Sequence, residues 1–311
     1  MDLQRTLVPA YSLRGFPEQR WLLYGIFLCM YLVTLTGNVL IILAIGSDPH
    51  LHTPMYFFLA NLSFADMGLI SSTVTKMLFN VQTQRHTISY TGCLTQMYLF
   101  MMFGDLDSFF LAVMAYDRYV AICRPLHYST IMNTRFCALM LALCWVLTNV
   151  VALTHTLLMA RLSFCVVGEI AHFFCDITSV LKLSCSDTHV NELVLSGFGG
   201  TVLMVPFVSI VISYVHIVFA VLRVKTSGGS SKAFSTCSSH LCVVCVFYGT
   251  LFSVYLFPHS VESTEKDVAA AAMYTVVTPM LNPFIYSLRN KDMKGALKRL
   301  VCHRRIFSSE I

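Results

Sequence analysis

A chain of 311 residues that is 56% hydrophobic and only 12% charged, with a mean hydropathy of +0.69, carries about half the charged fraction of a soluble domain. That excludes an ordinary soluble enzyme or binding module and places the chain in a lipid bilayer. The net charge of +5, gathered at the ends of apolar runs, reads as membrane orientation and contact with anionic lipid rather than nucleic-acid binding.

Seven apolar runs follow in order, near residues 21–46, 55–81, 93–123, 136–158, 193–224, 233–257 and 268–288. Each meets the length of about 20 residues that a membrane helix needs. They are continuous rather than alternating, which excludes a β-barrel. The expected fold is all-α, a seven-transmembrane helix bundle followed by a short cytoplasmic amphipathic helix. Residues 1–20 form the outer tail and residues 289–311 the inner one. With the N-terminus outside, 13 of the 21 Lys and Arg residues fall at cytoplasmic ends, the asymmetry that sets topology. No cleavable leader is evident, so the first run is expected to act as its own insertion signal. Loops are short apart from 159–192, leaving a single domain without the internal repeat of many transporters.

Polar groups inside these runs mark the interior. Asn38, Asp66 and Asn282 lie deep in hydrocarbon and are expected to bond to one another, joined by Asp107. Asp107 and Arg118 are 11 residues apart, about three turns and about 16 Å along one helix face. Two carboxyls, Asp66 and Asp107, then share a low-dielectric core, so either one is protonated or a cation lies between them. Asp105 points about 200° away from Asp107. It is either a pocket carboxyl, able to accept from an alcohol or, protonated, to donate to an aldehyde or ketone, or it bonds a neighbouring helix through His155. Cys93, Cys165, Cys175 and Cys185 are the four outer cysteines and allow three pairings. Cys242 and Cys245 sit inside the sixth run as apolar packing. Cys302, among basic residues near the C-terminus, is either a palmitoylation site or a free thiol.

Several strings carry a resemblance across nearly the whole chain. They are Gly37-Asn38, Leu51-His-Thr-Pro-Met-Tyr-Phe-Phe-Leu-Ala-Asn-Leu-Ser-Phe-Ala-Asp66 and Met114-Ala-Tyr-Asp-Arg-Tyr-Val-Ala-Ile-Cys123. Ser213-Tyr214, Lys232-Ala-Phe-Ser-Thr-Cys-Ser-Ser-His240 and Pro279-Met-Leu-Asn-Pro-Phe-Ile-Tyr286 follow. In this order the chain resembles the odorant receptors of the rhodopsin-like G-protein-coupled receptors, and most closely their tetrapod, volatile-odorant class.

The resemblance implies a plasma-membrane receptor, N-terminus outside, that binds a small hydrophobic odorant and activates a stimulatory olfactory-type G protein to raise cAMP. It implies a pocket lined by Met101, Gly104, Asp105 and Ser108, by Phe198, Gly199, Val202 and Leu203, by Tyr248, Leu251, Phe252 and Tyr255, and by Thr275. Such a lining suits a molecule of about ten heavy atoms with one oxygen function. Asp117, Arg118 and Tyr119 resemble the family's switch, with Tyr214, His240 and Tyr286. Arg118 is expected to contact Tyr214 and the sixth run when inactive and a G-protein helix when active. Gly200, Pro206 and Pro283 are expected to be flexible points. Disulfides Cys93–Cys175 and Cys165–Cys185 are implied. No cofactor is expected beyond a sodium-type ion at Asp66, Asp107 and Asn282, with a proton-shared structural pair as the alternative.

Departures sharpen the reading. The sixth run offers Lys232 and His240 but no acid for Arg118, so hydrogen bonds are expected in place of an ionic lock. The tail lacks a glycosylation sequon, the one Asn-x-Ser being Asn61-Leu62-Ser63 inside the second run. Thr75 and Ser179 stand where the family usually has proline. His172 and Asp176 have metal-ligand spacing, but the implied disulfide removes Cys175 from that set. The seventh run has no lysine for a retinal Schiff base. Phe100 stands where a monoamine receptor carries aspartate. A seven-span transporter or channel is the alternative function, hinted at only by Asp66, Asp105 and Asp107. An intramembrane enzyme lacks a Ser/His or His-x-x-x-His set at membrane depth.

Overall fold

A computed structural model describes residues 8–9, 20–84, 87–164, 170, 172–223, 227–255 and 271–307. They form an all-α bundle of seven helices followed by an eighth. Helix one is Arg20–Ser47, helix two Pro54–Thr83, helix three Tyr90–Cys123 and helix four Thr134–Ala160. Helix five is His189–Arg223, helix six Ser227–Tyr255, helix seven 271–289 and helix eight Lys291–Phe307. The first five are long and apolar enough to cross a bilayer, and helix six holds an apolar stretch, Cys237–Ser253. Among the described residues, the one two-stranded ladder is Val8–Pro9 against Thr87–Ile88, with a single bridge residue at Ile170.

Local chemistry sets the helix ends. Pro54 opens helix two, where its missing N–H costs nothing. The Ser89 hydroxyl accepts from the Gly92 amide at 3.1 Å and starts helix three. A Cβ at Gly92 would stand 2.9 Å from that hydroxyl, so glycine is what admits the cap. Asn133 caps helix four through the Phe136 amide, and Asn290 caps helix eight through the amides of Asp292 and Met293.

Helix three runs through the middle and packs on helices two, four, five and six. Gly37 lets helix one approach Pro283 of helix seven, since a Cβ there would come 2.9 Å from the Pro283 Cβ. Outward faces carry exposed Leu32, Val146, Val205 and Phe219, an apolar coat that only lipid satisfies. Two π-turns interrupt the regular spiral, Leu195–Gly199 in helix five and Met273–Val277 in helix seven. They bring irregular turns just before Gly200 and before Pro283, two of the expected flexible points.

The end expected to lie outside the membrane is stapled where Cys93 of helix three bonds Cys175 of the long loop, 82 residues away with Cα atoms 5.5 Å apart. Cys185 is disulfide-bonded too; Cys165, its expected partner, lies outside the described residues. At the inner end, Arg299 of helix eight pairs with Asp48 in the turn after helix one, and Asn290 donates to the Tyr56 hydroxyl at 2.7 Å.

Candidate functional site

Helices three, five, six and seven and the long outer loop surround a cavity of about 530 Å³, within the size of small-molecule sites. Helix three contributes Phe100, Met101, Gly104 and Asp105, and helix five Gly199, Leu203 and Met204. Phe247, Leu251 and Phe252 of helix six and Tyr274 of helix seven close the far side, with Ile177 and Thr178 descending from the loop.

The cavity floor rests on a polar bridge one turn beyond Gly104. Ser108 and Tyr248 share a hydrogen bond of 2.6 Å between helices three and six. Phe207 packs against the Tyr248 ring at 4.9 Å and edge-on against Phe252 at 4.9 Å. A shape change in the cavity thus bears directly on a buried side-chain bond between helices three and six.

Seven of the expected pocket residues meet at this cavity: Met101, Gly104, Asp105, Gly199, Leu203, Leu251 and Phe252. Ser108 and Tyr248 lie outside its lining because each is held by the other. Phe198, Val202 and Thr275 also lie outside it. Phe198 is 41% exposed and falls in the helix-five π-turn, while Thr275 falls in the helix-seven π-turn and donates to the Ala271 carbonyl at 2.8 Å. A π-turn adds a residue to the spiral and re-aims those on it, which a regular 3.6-residue period cannot anticipate. The Tyr255 side chain lies outside the described residues.

Sequence reasoning missed Phe100, Leu69, Val151, Phe247 and Tyr274. Phe100 was accessible from Gly104, one turn on and on the same face. Tyr274 was masked by its π-turn. Leu69 and Val151, from helices two and four, carry no local signal.

Asp105 is on the cavity, and its Oδ2 is buried without a hydrogen-bond partner. The alternative, a bond to His155, is not formed between Asp105 Oδ2 and His155 Nε2. His155 Nε2 is itself unpartnered and faces Gly199, 3.5 Å from where a Cβ there would stand. The imidazole thus packs on Gly199 of the π-turn rather than bonding Asp105.

Beneath the floor, polar groups pair across helices. Asn282 donates to both Asp66 oxygens at 3.0 and 2.9 Å. Asn38 does not join them as expected; its amide donates to the carbonyls of Thr34 and of Pro279 on helix seven, because proline at 283 leaves the Pro279 carbonyl without its helical donor. Asp107 Oδ1 and Asn282 Oδ1 are buried and unpartnered. With Asp66 they form an all-oxygen donor set that fits a hard cation.

At the inner end Arg118 pairs with the neighbouring Asp117 at 3.6 Å, and Tyr128 donates to Asp117 at 2.7 Å. Burial pushes the Tyr128 phenol above its usual range, and the Asp117 carboxylate adds to the effect. The Tyr214 hydroxyl bonds helix six rather than Arg118. Tyr214 bonds His240 Nδ1 at 2.8 Å, and His240 Nε2 donates to the Leu111 carbonyl at 3.0 Å. A carbonyl only accepts, so Nε2 carries the proton, and in the neutral ring Nδ1 accepts from Tyr214. Helices three, five and six are thereby tied without an ion pair. Tyr119 lies 5.6 Å from the His216 ring, and the Tyr286 hydroxyl is buried without a partner.

The metal-like spacing in the outer loop serves another end. Asp176 accepts from the amides of Thr178 and Ser179 and caps Ile177–Leu181, while Cys175 is in its disulfide. Among the described residues no three His, Cys, Asp or Glu side chains gather as metal ligands.

Comparison with known proteins matches residues 27–304 to a family model described as olfactory receptor. The chain is 79% identical over 305 residues to Olfactory receptor 1N1 of Homo sapiens, covering 97% of this chain and 98% of that protein. It is 58% identical over 308 residues to Olfactory receptor 1N2 of Homo sapiens, covering 98% of each. With Olfactory receptor 1500 of Rattus norvegicus it shares 57% identity over 305 residues, 97% of this chain and 98% of that one.

Proposed function

Since the chain belongs to the olfactory receptor family and is a membrane protein, a receptor rather than an enzyme, we propose that it holds a small hydrophobic odorant in the cavity between helices three, five, six and seven. Binding then activates a stimulatory olfactory-type G protein and raises cAMP. The observation that carries this reading is the Ser108–Tyr248 bond at 2.6 Å under the cavity. A ligand pressing on Phe252 and Leu251 acts on the same helix that this bond ties to helix three.

An agonist shifts the resting and active forms only by its differential affinity for the two. In the resting form the inner end is held by Tyr214, His240 and the Leu111 carbonyl. Outward movement of helix six breaks that tie, frees the Tyr214 hydroxyl for Arg118, and opens a groove for a G-protein helix. Asp66, Asp107 and Asn282 would hold a sodium ion in the resting form, which would supply the positive charge that two buried carboxyls lack. The Lys and Arg asymmetry supports a plasma-membrane orientation with the N-terminus outside, where the disulfide end of the bundle also belongs.

A cAMP reporter in cells displaying the chain tests the proposal against a panel of volatile amines, alcohols, aldehydes, ketones and esters. A concentration-dependent rise with at least one volatile is expected, lost when Arg118→Ala is introduced. A response that survives Arg118→Ala, or that consists of ion flux without cAMP, contradicts it.

A further inference from the structure

The cavity carries charge of one sign. Asp105, Asp176 and Glu192 line it, and no Lys, Arg or His does among the described residues. Two of the three acids are already engaged. Asp176 caps its short helix through the Thr178 and Ser179 amides. Glu192, on the exposed outer turn of helix five, accepts from the Thr188 hydroxyl at 2.7 Å. Asp105 has no such engagement: its Oδ2 is buried and unpartnered. A lone carboxyl among Phe, Leu and Met walls is an arrangement the folded chain itself leaves unrelieved.

We infer that Asp105 is the recognition group for a volatile amine, an inference that rests on this cavity being the odorant site. An ammonium group donates charge-assisted hydrogen bonds to a carboxylate, roughly twice as strong as neutral ones. A free amine accepts from the carboxylic acid, so one proton is held between the two groups whichever brings it. Other volatiles do less. An aldehyde, ketone or ester only accepts: it meets the carboxylic acid with a neutral hydrogen bond and leaves an ionised carboxylate unrelieved. An alcohol donates but brings no charge, and an acid brings a second negative one. The aromatic walls agree: Phe100, Phe252 and Tyr274 stand around the cavity, with the Phe100 and Tyr274 rings 6.1 Å apart, and ring faces attract a cation within about 6 Å. Nitrogen therefore replaces the oxygen function that the apolar lining alone suggests.

Matched volatiles separate the cases in cells carrying the surface-tagged full chain and a cAMP reporter. The sets are cyclohexylamine, cyclohexanol and cyclohexanone; phenethylamine, phenethyl alcohol and phenylacetaldehyde; hexylamine, hexanol and hexanal. The amine of at least one set is expected to act at a concentration about tenfold or more below its neutral partners, given the stronger charge-assisted bond. Asp105→Asn is expected to remove that advantage, the amine falling to the potency of its neutral partners, and Asp105→Glu to restore it. If Asp105→Asn fails to reach the surface, thermal stabilisation of purified wild-type protein decides, with a larger rise expected for the amine than for its alcohol. An amine advantage that persists in Asp105→Asn overturns the inference. So do neutral volatiles that act while every amine is silent, an outcome that leaves the receptor reading standing. Silence of the surface-displayed wild type to all three sets, with no stabilisation by any of them, overturns both.

Discussion

Above the Ser108–Tyr248 bond and below it, the bundle treats polar groups differently. Below, Asp66, Asn38, Tyr214, His240 and Asp117 each find a partner on another helix or loop. Above, Asp105 and His155 keep buried atoms without one, as Asp107, Asn282 and Tyr286 do below, but of these five Asp105 alone lines the cavity. A buried polar atom left unmet is costly, so the cross-helix bonds below hold one arrangement, while the unmet carboxyl on the cavity wall is the one placed to receive a ligand. The same contrast separates stability from specificity: pairing fixes helix positions, while an unpaired group waits for a ligand to complete it.

The largest expected effect breaks the outer half covalently. Cys93→Ser removes the staple that holds Ile177 and Thr178 over the cavity, and loss of a native disulfide costs about 2–5 kcal/mol. Surface display is expected to fall sharply and agonist response with it, as flow cytometry with the cAMP reporter would reveal.

Next comes the contrast itself. Asn282→Ala strips Asp66 of both hydrogen bonds and is expected to cost about 1–3 kcal/mol, lowering the melting temperature of purified protein. Asp105→Leu, which deletes a polar group that has no partner, is expected to leave that temperature unchanged or raise it. Equal losses from the two variants would erase the distinction between the halves.

Tyr214→Phe takes the hydroxyl from His240 and loosens helices five and six, at about 1 kcal/mol. Ligand-free cAMP should rise in a reporter assay while odorant ranking stays as it was. The smallest effect is at the inner surface, where the Arg299 guanidinium holds the Asp48 carboxyl at about 2, aided by His50 and opposed by partial burial. A depressed carboxylate stabilises the fold fully above its ordinary value of 3.8 and loses that contribution as pH falls through about 2. Docking of helix eight should therefore be flat from neutral pH to about pH 4. Melting of the wild type and Asp48→Asn should differ by a constant amount in that range and converge below it.

How much of this was legible in the sequence follows the same division. The lower half could be read because each of its groups is a polar residue in hydrocarbon, where the reason for its presence is nearly unique. Even so, partners were mistaken: Asn38 meets Pro279 rather than Asp66, since a proline four residues on frees that carbonyl, and Tyr214 meets His240 rather than Arg118. The cavity was read by register, which served on helix three, where the spiral is regular from Phe100 to Ser108. It failed at Phe198 and Thr275, where π-turns shift the phase without leaving a mark in residue type. Leu69 and Val151 belong to the wall only through tertiary packing.

The central claim is that filling the outer cavity moves helix six away from helix three at the inner end. Spin labels introduced by bio-orthogonal chemistry at Leu126, fully exposed just after helix three, and at Ala233 on helix six report that separation by pulsed electron resonance. The distance should lengthen when an active volatile is added and shorten again when it is withdrawn. A distance that stays fixed while the same volatile raises cAMP would contradict the account.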